Sequence, residues 1–281
     1  MKTALVLQGG GARGIFTSGI LDSFLENNIS FDCIYAVSAG ALNAMNFISK
    51  QEGRSRSATS LTFKAKEFKS IKNIIRKHSF VDFNYYFNKL NEILPLDQKT
   101  YDNSKTEFVA VATSLLTGKP QYFNKKNYLN FNECIKASSS IPLVSKIVHI
   151  NSDFYLDGGD SDPLPYKKAF LDGFDKVVII TTRPIDYRKE TKQDRFMMRL
   201  YRLAYKNYPN YLASLENSRN NYNKEFDELN NYSNSKLFIL APSENIVLKH
   251  LENDNEKLNY YFNLGKKIFV DNREKLSEFL R

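Results

Sequence analysis

Two small-residue turns, one strand–helix unit apart, constrain this chain more than any other feature. Ala4–Leu7 is a short apolar run that ends in Gln8-Gly9-Gly10-Gly11-Ala12-Arg13-Gly14. After Gly14 the apolar residues Ile15, Ile20, Leu21, Phe24 and Leu25 recur at helical spacing, until Asn27-Asn28 stops the pattern. Phe31–Val37 predicts a second strand, Ser38 follows it, and a small-residue helix runs from Ala39 to about Lys50. Two strands each followed by a helix need crossover connections, so the expected fold class is α/β with a central, mostly parallel sheet covered by helices.

The rest of the chain fits that frame. Of its 281 residues 42% are hydrophobic and 25% charged, which supplies a core and excludes wholesale disorder. Further strands are predicted at Glu107–Thr113, Gln121–Phe123, Lys146–Ile150, Phe154–Leu156, Lys176–Thr182 and Leu237–Leu240. A helical block spans about Asp194 to Tyr232, interrupted by Pro209, and two closing helices fit Asn253–Leu264 and Lys266–Leu280. Without a repeat or a low-complexity linker, residues 1–281 read as one unit, with a core over about 1–185 and a mainly helical portion over about 186–281. The net charge of +9 is spread along the chain and names no partner, nucleic acid included. Cys33 and Cys134 are too few for a disulfide framework and fit a reducing compartment. No run approaches the ~18 apolar residues of a membrane span, and Met1-Lys2-Thr3 leads straight into a strand without a signal-peptide pattern, so a cytoplasmic location is expected.

The first turn lets a ligand approach the backbone closely, and its N–H groups, with the free donors of the next helix, can converge on an anion. Gly9, Gly11 and Gly14 also satisfy G-x-G-x-x-G, which leaves a dinucleotide-binding reading open. That reading wants an acidic residue near the end of the second strand, and Asp32 stands at its beginning. The second turn, Tyr35-Ala36-Val37-Ser38-Ala39-Gly40-Ala41, has the composition of a nucleophile elbow, with Ala36 where a first glycine is usual. A nucleophilic serine needs a base. His78 and His149 carry no such pattern, and His250, the histidine that a Ser–Asp–His order would require, reads as a surface residue. The stronger candidate is Asp157, which ends a short strand and is followed by Gly158 and Gly159.

These residues resemble the patatin-like phospholipase family. Gly9–Gly14 looks like its oxyanion loop, Val37–Ala41 like its nucleophile elbow and Asp157–Gly159 like its base motif. Ala137-Ser138-Ser139-Ser140-Ile141-Pro142, the run from Asp157 to Pro165, Thr182-Arg183-Pro184 and Tyr187-Arg188-Lys189 are similar to its bacterial members. The resemblance implies a three-layer α/β/α fold and a serine lipid acyl hydrolase acting on an acyl ester or phospholipid without a cofactor or metal. Ser38 would be the nucleophile and Asp157 the base. Gly9, Gly10, Gly11, Arg13 and Gly14 would form the oxyanion loop, with Ala36, Gly40, Gly158 and Gly159 in support. A silent acyl-binding protein stays open as an alternative. Two basic segments with interleaved apolar residues, Lys64–Lys77 (with Phe68, Ile71, Ile74 and Ile75) and Arg195–Arg202, are candidates for peripheral contact with an anionic membrane.

Overall fold

The computed structural model describes residues 1–70, 79–229, 232 and 235–281. Its strands are β1 (Thr3–Leu7), β2 (Cys33–Val37), β3 (Glu107–Ser114), β4 (Pro120–Asn124), β5 (Val148–Ile150), β6 (Asp153–Asp157), β7 (Lys176–Ile180) and β8 (Leu237–Leu240). Its helices are α1 (Gly14–Glu26), α2 (Ala39–Ile48), α3 (Arg54–Lys64), α4 (Leu90–Ile93), α5 (Gln98–Asp102), α6 (Phe131–Ser138), α7 (Tyr166–Leu171), α8 (Arg195–Ala204), α9 (Pro209–Leu229) and α10 (Asn255–Leu280). The strands form one sheet in the order β5-β6-β3-β2-β1-β7-β8, with β4 also paired to β3. The run β3-β2-β1-β7-β8 is parallel, while β4, β5 and β6 pair antiparallel. The expected α/β class, with a mostly parallel sheet, is what the chain forms.

Strand alternation divides the core between the two faces of the sheet. Leu5, Leu7, Ile34, Ala36, Phe108, Ala110, Val178 and Ile180 point to the face covered by α1, α2, α6 and α10. Ala4, Val6, Tyr35, Val109, Val177 and Ile179 point to the other, against Tyr166 and Ala169 of α7 and Tyr222, Phe226 and Leu229 of α9. Each face removes a continuous apolar layer from water, at roughly 25 cal/mol per Å² of apolar area.

Two expectations need correction. The two closing helices are one continuous helix, α10. Gly265, read as their boundary, lies inside it and lets it press onto α1: a Cβ there would stand 2.2 Å from the Phe16 carbonyl oxygen. Gly19 of α1 answers it, where a Cβ would stand 2.1 Å from the Phe262 carbonyl oxygen. The basic segment from Lys64 does not continue as a helix through its described part. α3 ends at Lys64, and Phe68 sits buried in the turn beyond it, against Phe63, Phe83 and Tyr85. Ile71, Ile74, Ile75, Arg76, Lys77 and His78 lie outside the described residues. Pro209 begins α9 after α8 ends, and Asp194 caps α8 by accepting hydrogen bonds from the Phe196 and Met197 amides.

Candidate active site

The register of β3 brings the two halves of the site together. On β3, Val111 pairs with Val37 at the end of β2, and the next residue, Ala112, pairs with Asp157 at the end of β6. Strand ends 120 positions apart in the chain (157 − 37) thus arrive at adjacent rungs. Ser38, one residue beyond β2, donates from Oγ to Asp157 Oδ2 at 2.6 Å, and both side chains are buried. Ser38 has φ 56° and ψ −125°, a conformation that costs a non-glycine residue on the order of 1–3 kcal/mol and needs its surroundings to hold it. The run Ser138-Ser139-Ser140 at the end of α6 supplies that hold. Ser138 Oγ accepts from the Ser38 amide at 2.9 Å, and Ser139 Oγ donates to the Ser38 carbonyl at 3.1 Å. The Ser140 carbonyl accepts from the Asp157 amide at 2.8 Å. Sequence reading gives this run only as a likeness to the family's bacterial members and misses the bracing; three consecutive hydroxyls at a helix end were its signal.

The glycine loop packs directly over the serine. A Cβ on Gly9 would lie 2.8 Å from Ser38 Cβ, and one on Gly10 would lie 2.6 Å from Thr182 Oγ1. Gly11 has φ +57°, and a Cβ there would meet the His250 carbonyl oxygen at 2.5 Å. Thr182 pins the loop: its hydroxyl donates to the Gly9 carbonyl at 2.6 Å and its amide to Gln8 Oε1 at 2.7 Å. Ala12 donates to the His250 carbonyl at 2.9 Å. Among the described residues the Gly10 and Gly11 N–H groups have no acceptor. Gly14 opens α1 and its carbonyl accepts from Asn43 Nδ2 at 2.8 Å. Gly40 lies against Leu7, Gly158 against the Val111 carbonyl, and the Gly159 amide donates to Asp157 Oδ1 at 2.9 Å. Ala36 is fully buried, paired with Leu7 and Ala110, so its methyl group belongs to the core.

Burial governs the electrostatics. It raises the pKa of Asp157 to about 6, against the lowering effect of the bonds from Ser38 and Gly159 and the charge of Lys189. Asp160, bonded to Tyr211 Oη at 2.9 Å, is raised to about 7 by burial and then by Asp157. Arg13, Arg183, Lys189 and His250 line the same pocket as Ser38 and Asp157. His250 is exposed as a residue, as expected, but its ring packs over Gly11, and the local loss of water there, with the charges of Arg13, Arg183 and Lys189, lowers its pKa to about 4. His250 makes no hydrogen bond to Ser38 or Asp157, and His149 stands on β5 with its ring against Phe154. A second, mainly apolar cavity also reaches Ser38, lined among others by Leu42, Phe63, Phe68, Val81, Phe83 and Ile141. Asp32 accepts from the Thr3 amide at 2.7 Å, at the opposite end of the sheet from the glycine loop, and is not placed to hold a ribose there.

The family model of the patatin-like phospholipases matches residues 5–170, a stretch that contains Ser38, Asp157 and the glycine loop. The chain belongs to the patatin-like phospholipase family. A second model, that of a domain of unknown function, matches residues 208–281 and so takes in α9 and α10. The uncharacterized protein YjjU of Escherichia coli strain K12 is 35% identical over 191 residues, covering 65% of this chain. This chain's match covers 52% of that protein, about half its length. The crystal structure of VipD from Legionella pneumophila aligns with a TM-score of 0.48 at 12% identity, over 96% of this chain and 66% of that one. Among the described residues no helix is long and apolar enough to cross a membrane.

Proposed function

We propose that this protein is a serine acyl hydrolase that cleaves carboxylic esters of lipids through Ser38 and Asp157. The observation that carries the reading is the 2.6 Å hydrogen bond between the two side chains, beside unoccupied N–H donors of Gly10 and Gly11. Ser38 Oγ attacks the ester carbonyl and its proton passes to Asp157. The carbonyl oxygen, now an oxyanion, accepts from the glycine-loop amides, where each donor is worth roughly 100- to 1,000-fold in rate. The C–O bond to the alcohol breaks, and the leaving alkoxide takes the proton from Asp157. Water then attacks the acyl-enzyme while Asp157 takes its proton, and the fatty acid leaves as Ser38 regains its hydrogen. An exposed carboxylate is a feeble base for a hydroxyl. Burial that raises Asp157 to about 6 improves it, and the N-terminus of α2 favours the negative charge that develops nearby. The apolar cavity receives the acyl chain.

A fluorophosphonate probe tests this, because only an activated serine reacts. Labelling of the wild type but not of Ser38→Ala, with ester hydrolysis lost in Ser38→Ala and Asp157→Asn, is the expected result. His250→Gln is expected to keep most of the hydrolysis; its loss in that variant, with the fold intact, would replace the dyad by a triad.

The same reading includes peripheral membrane contact through α8. This helix buries only Met198, leaves Phe196 65% and Leu203 74% exposed, and carries Arg195, Arg199 and Arg202. Exposed apolar side chains interleaved with arginines suit an anionic lipid surface.

A further inference from the structure

The two cavities that meet at Ser38 differ in kind, and the difference bears on the alcohol part of the ester. The acyl side is apolar. The other pocket gathers Arg13, Arg183 and Lys189, which come from the glycine loop and from the segment after β7. Among the described residues none of the three forms a salt bridge. Arg183 donates to the neutral Asn245 side chain at 3.2 Å and stacks 4.4 Å from the Tyr187 ring centre. Lys189 Nζ lies 4.3 Å from the Tyr222 ring centre. Arg13 Nε is buried without an acceptor. Arg188, adjacent in sequence to Lys189, behaves as an ordinary surface cation and pairs with Asp227 at 2.7 Å.

Cations crowded in a half-closed pocket repel one another, and each loses solvation. Burial and then Arg183 lower Arg13 to about 10, and burial lowers Lys189 as well. Two carboxylates face this pocket and attract Lys189 across it without forming a salt bridge, and both already accept hydrogen bonds: Asp157 from Ser38 and Gly159, and Asp160 from Tyr211. The pocket therefore has cationic donors that want an anion and no free carboxylate for a quaternary ammonium group.

We infer that this site, if it acts as the acyl hydrolase proposed above, selects esters whose alcohol carries a net negative phosphate, with Arg183 and Lys189 as the specificity-determining cations. An arginine offers a phosphate two parallel N–H bonds and a lysine a compact charge beside it. A zwitterionic head would bring its phosphate into place but set its ammonium group among cations. A neutral glycerol ester would leave the cations unanswered.

The test compares kcat/KM on lysophosphatidic acid, lysophosphatidylcholine and monoacylglycerol of one acyl chain, all below their aggregation concentrations. The expected result is a preference for lysophosphatidic acid of at least ~10-fold that weakens with added salt. In the Arg183→Gln/Lys189→Gln variant that preference collapses. Equal kcat/KM on all three esters, or a variant that loses the same factor on each, would overturn the inference, since a merely structural role lowers every substrate alike. A binding arm is independent of turnover: calorimetry of glycerol 3-phosphate with Ser38→Ala, with and without the two substitutions. Binding lost in the substituted protein supports the anion site; absent or unchanged binding removes it. Labelling of Ser38 reports separately on the hydrolase reading.

Discussion

Replacing Asp157 by Asn should raise stability while removing activity, with a dependence on pH that follows from burial. The folded pKa of Asp157 is about 6, against an ordinary 3.8. A group whose pKa rises on folding binds its proton more tightly in the folded state. Its favourable contribution is complete below about 3.8 and is lost as pH climbs through about 6. At about 1.4 kcal/mol per unit, a gap of about two units makes the ionised carboxylate cost the folded state about 3 kcal/mol at pH 8. Asn has nearly the same shape, can still accept from the Gly159 amide, and does not titrate. The variant should therefore be more stable than the wild type by about 3 kcal/mol at pH 8 and by only about 1 kcal/mol at pH 4.5. For a chain of this length that is a Tm gap of about 5 °C at pH 8, shrinking to about 2 °C at pH 4.5. Thermal unfolding of both proteins at the two pH values reads the gap, and loss of a general base should lower hydrolysis by roughly 100- to 10,000-fold. An equal Tm gap at both pH values, or a variant less stable at pH 8, would show that the site stabilises the carboxylate rather than straining it. The account of Asp157 as a base activated by burial would then fail.

Other outcomes follow from the same geometry. In the proposed mechanism Asp157 accepts the Ser38 proton only when ionised, so the kcat/KM of the wild type should rise with pH on a limb centred near 6; a limb centred near 4 would mean that its pKa is not raised. Gly265→Ala should lower stability by roughly 1–3 kcal/mol, since its methyl group would meet the Phe16 backbone where α10 crosses α1, and an unchanged Tm would show that the helices separate freely. Arg195→Glu/Arg199→Glu should weaken binding to anionic vesicles, and wild-type binding that is no stronger to anionic than to neutral vesicles would end the membrane reading.

The fold is legible in the sequence where local pattern and burial agree. β1 and β2 are short apolar runs because both faces of a parallel strand are covered, and the turns after them announce themselves by their lack of side chains. Pro209 and Asp194 mark helix starts for reasons internal to the backbone. Gly265 defeats the same logic. A glycine ends a helix when its backbone must turn and sits inside one when another backbone must come close, and its immediate neighbours in sequence do not distinguish the two. What distinguishes them is Gly19, 246 positions away (265 − 19), which opens the facing surface of α1.

The candidate site divides along the same line. Ser38, Asp157 and the glycine loop each carry a local steric signature, so each is visible alone in the sequence, and their meeting is then an inference about topology. β3 makes that meeting, and nothing in the composition of Glu107–Ser114 announces that Val111 and Ala112 receive two different strand ends. Arg183 and Lys189 are harder still to see. As cations in a basic chain they look like solvated surface, just as Arg188 between them is. They differ from Arg188 in forming no salt bridge among the described residues and in facing the same hollow as Arg13. Charge in a sequence is a count, whereas charge in a site is a set of directions. The substrate class proposed above, which depends on directions, therefore rests on the packing of the segment after β7 against the glycine loop and not on the sequence.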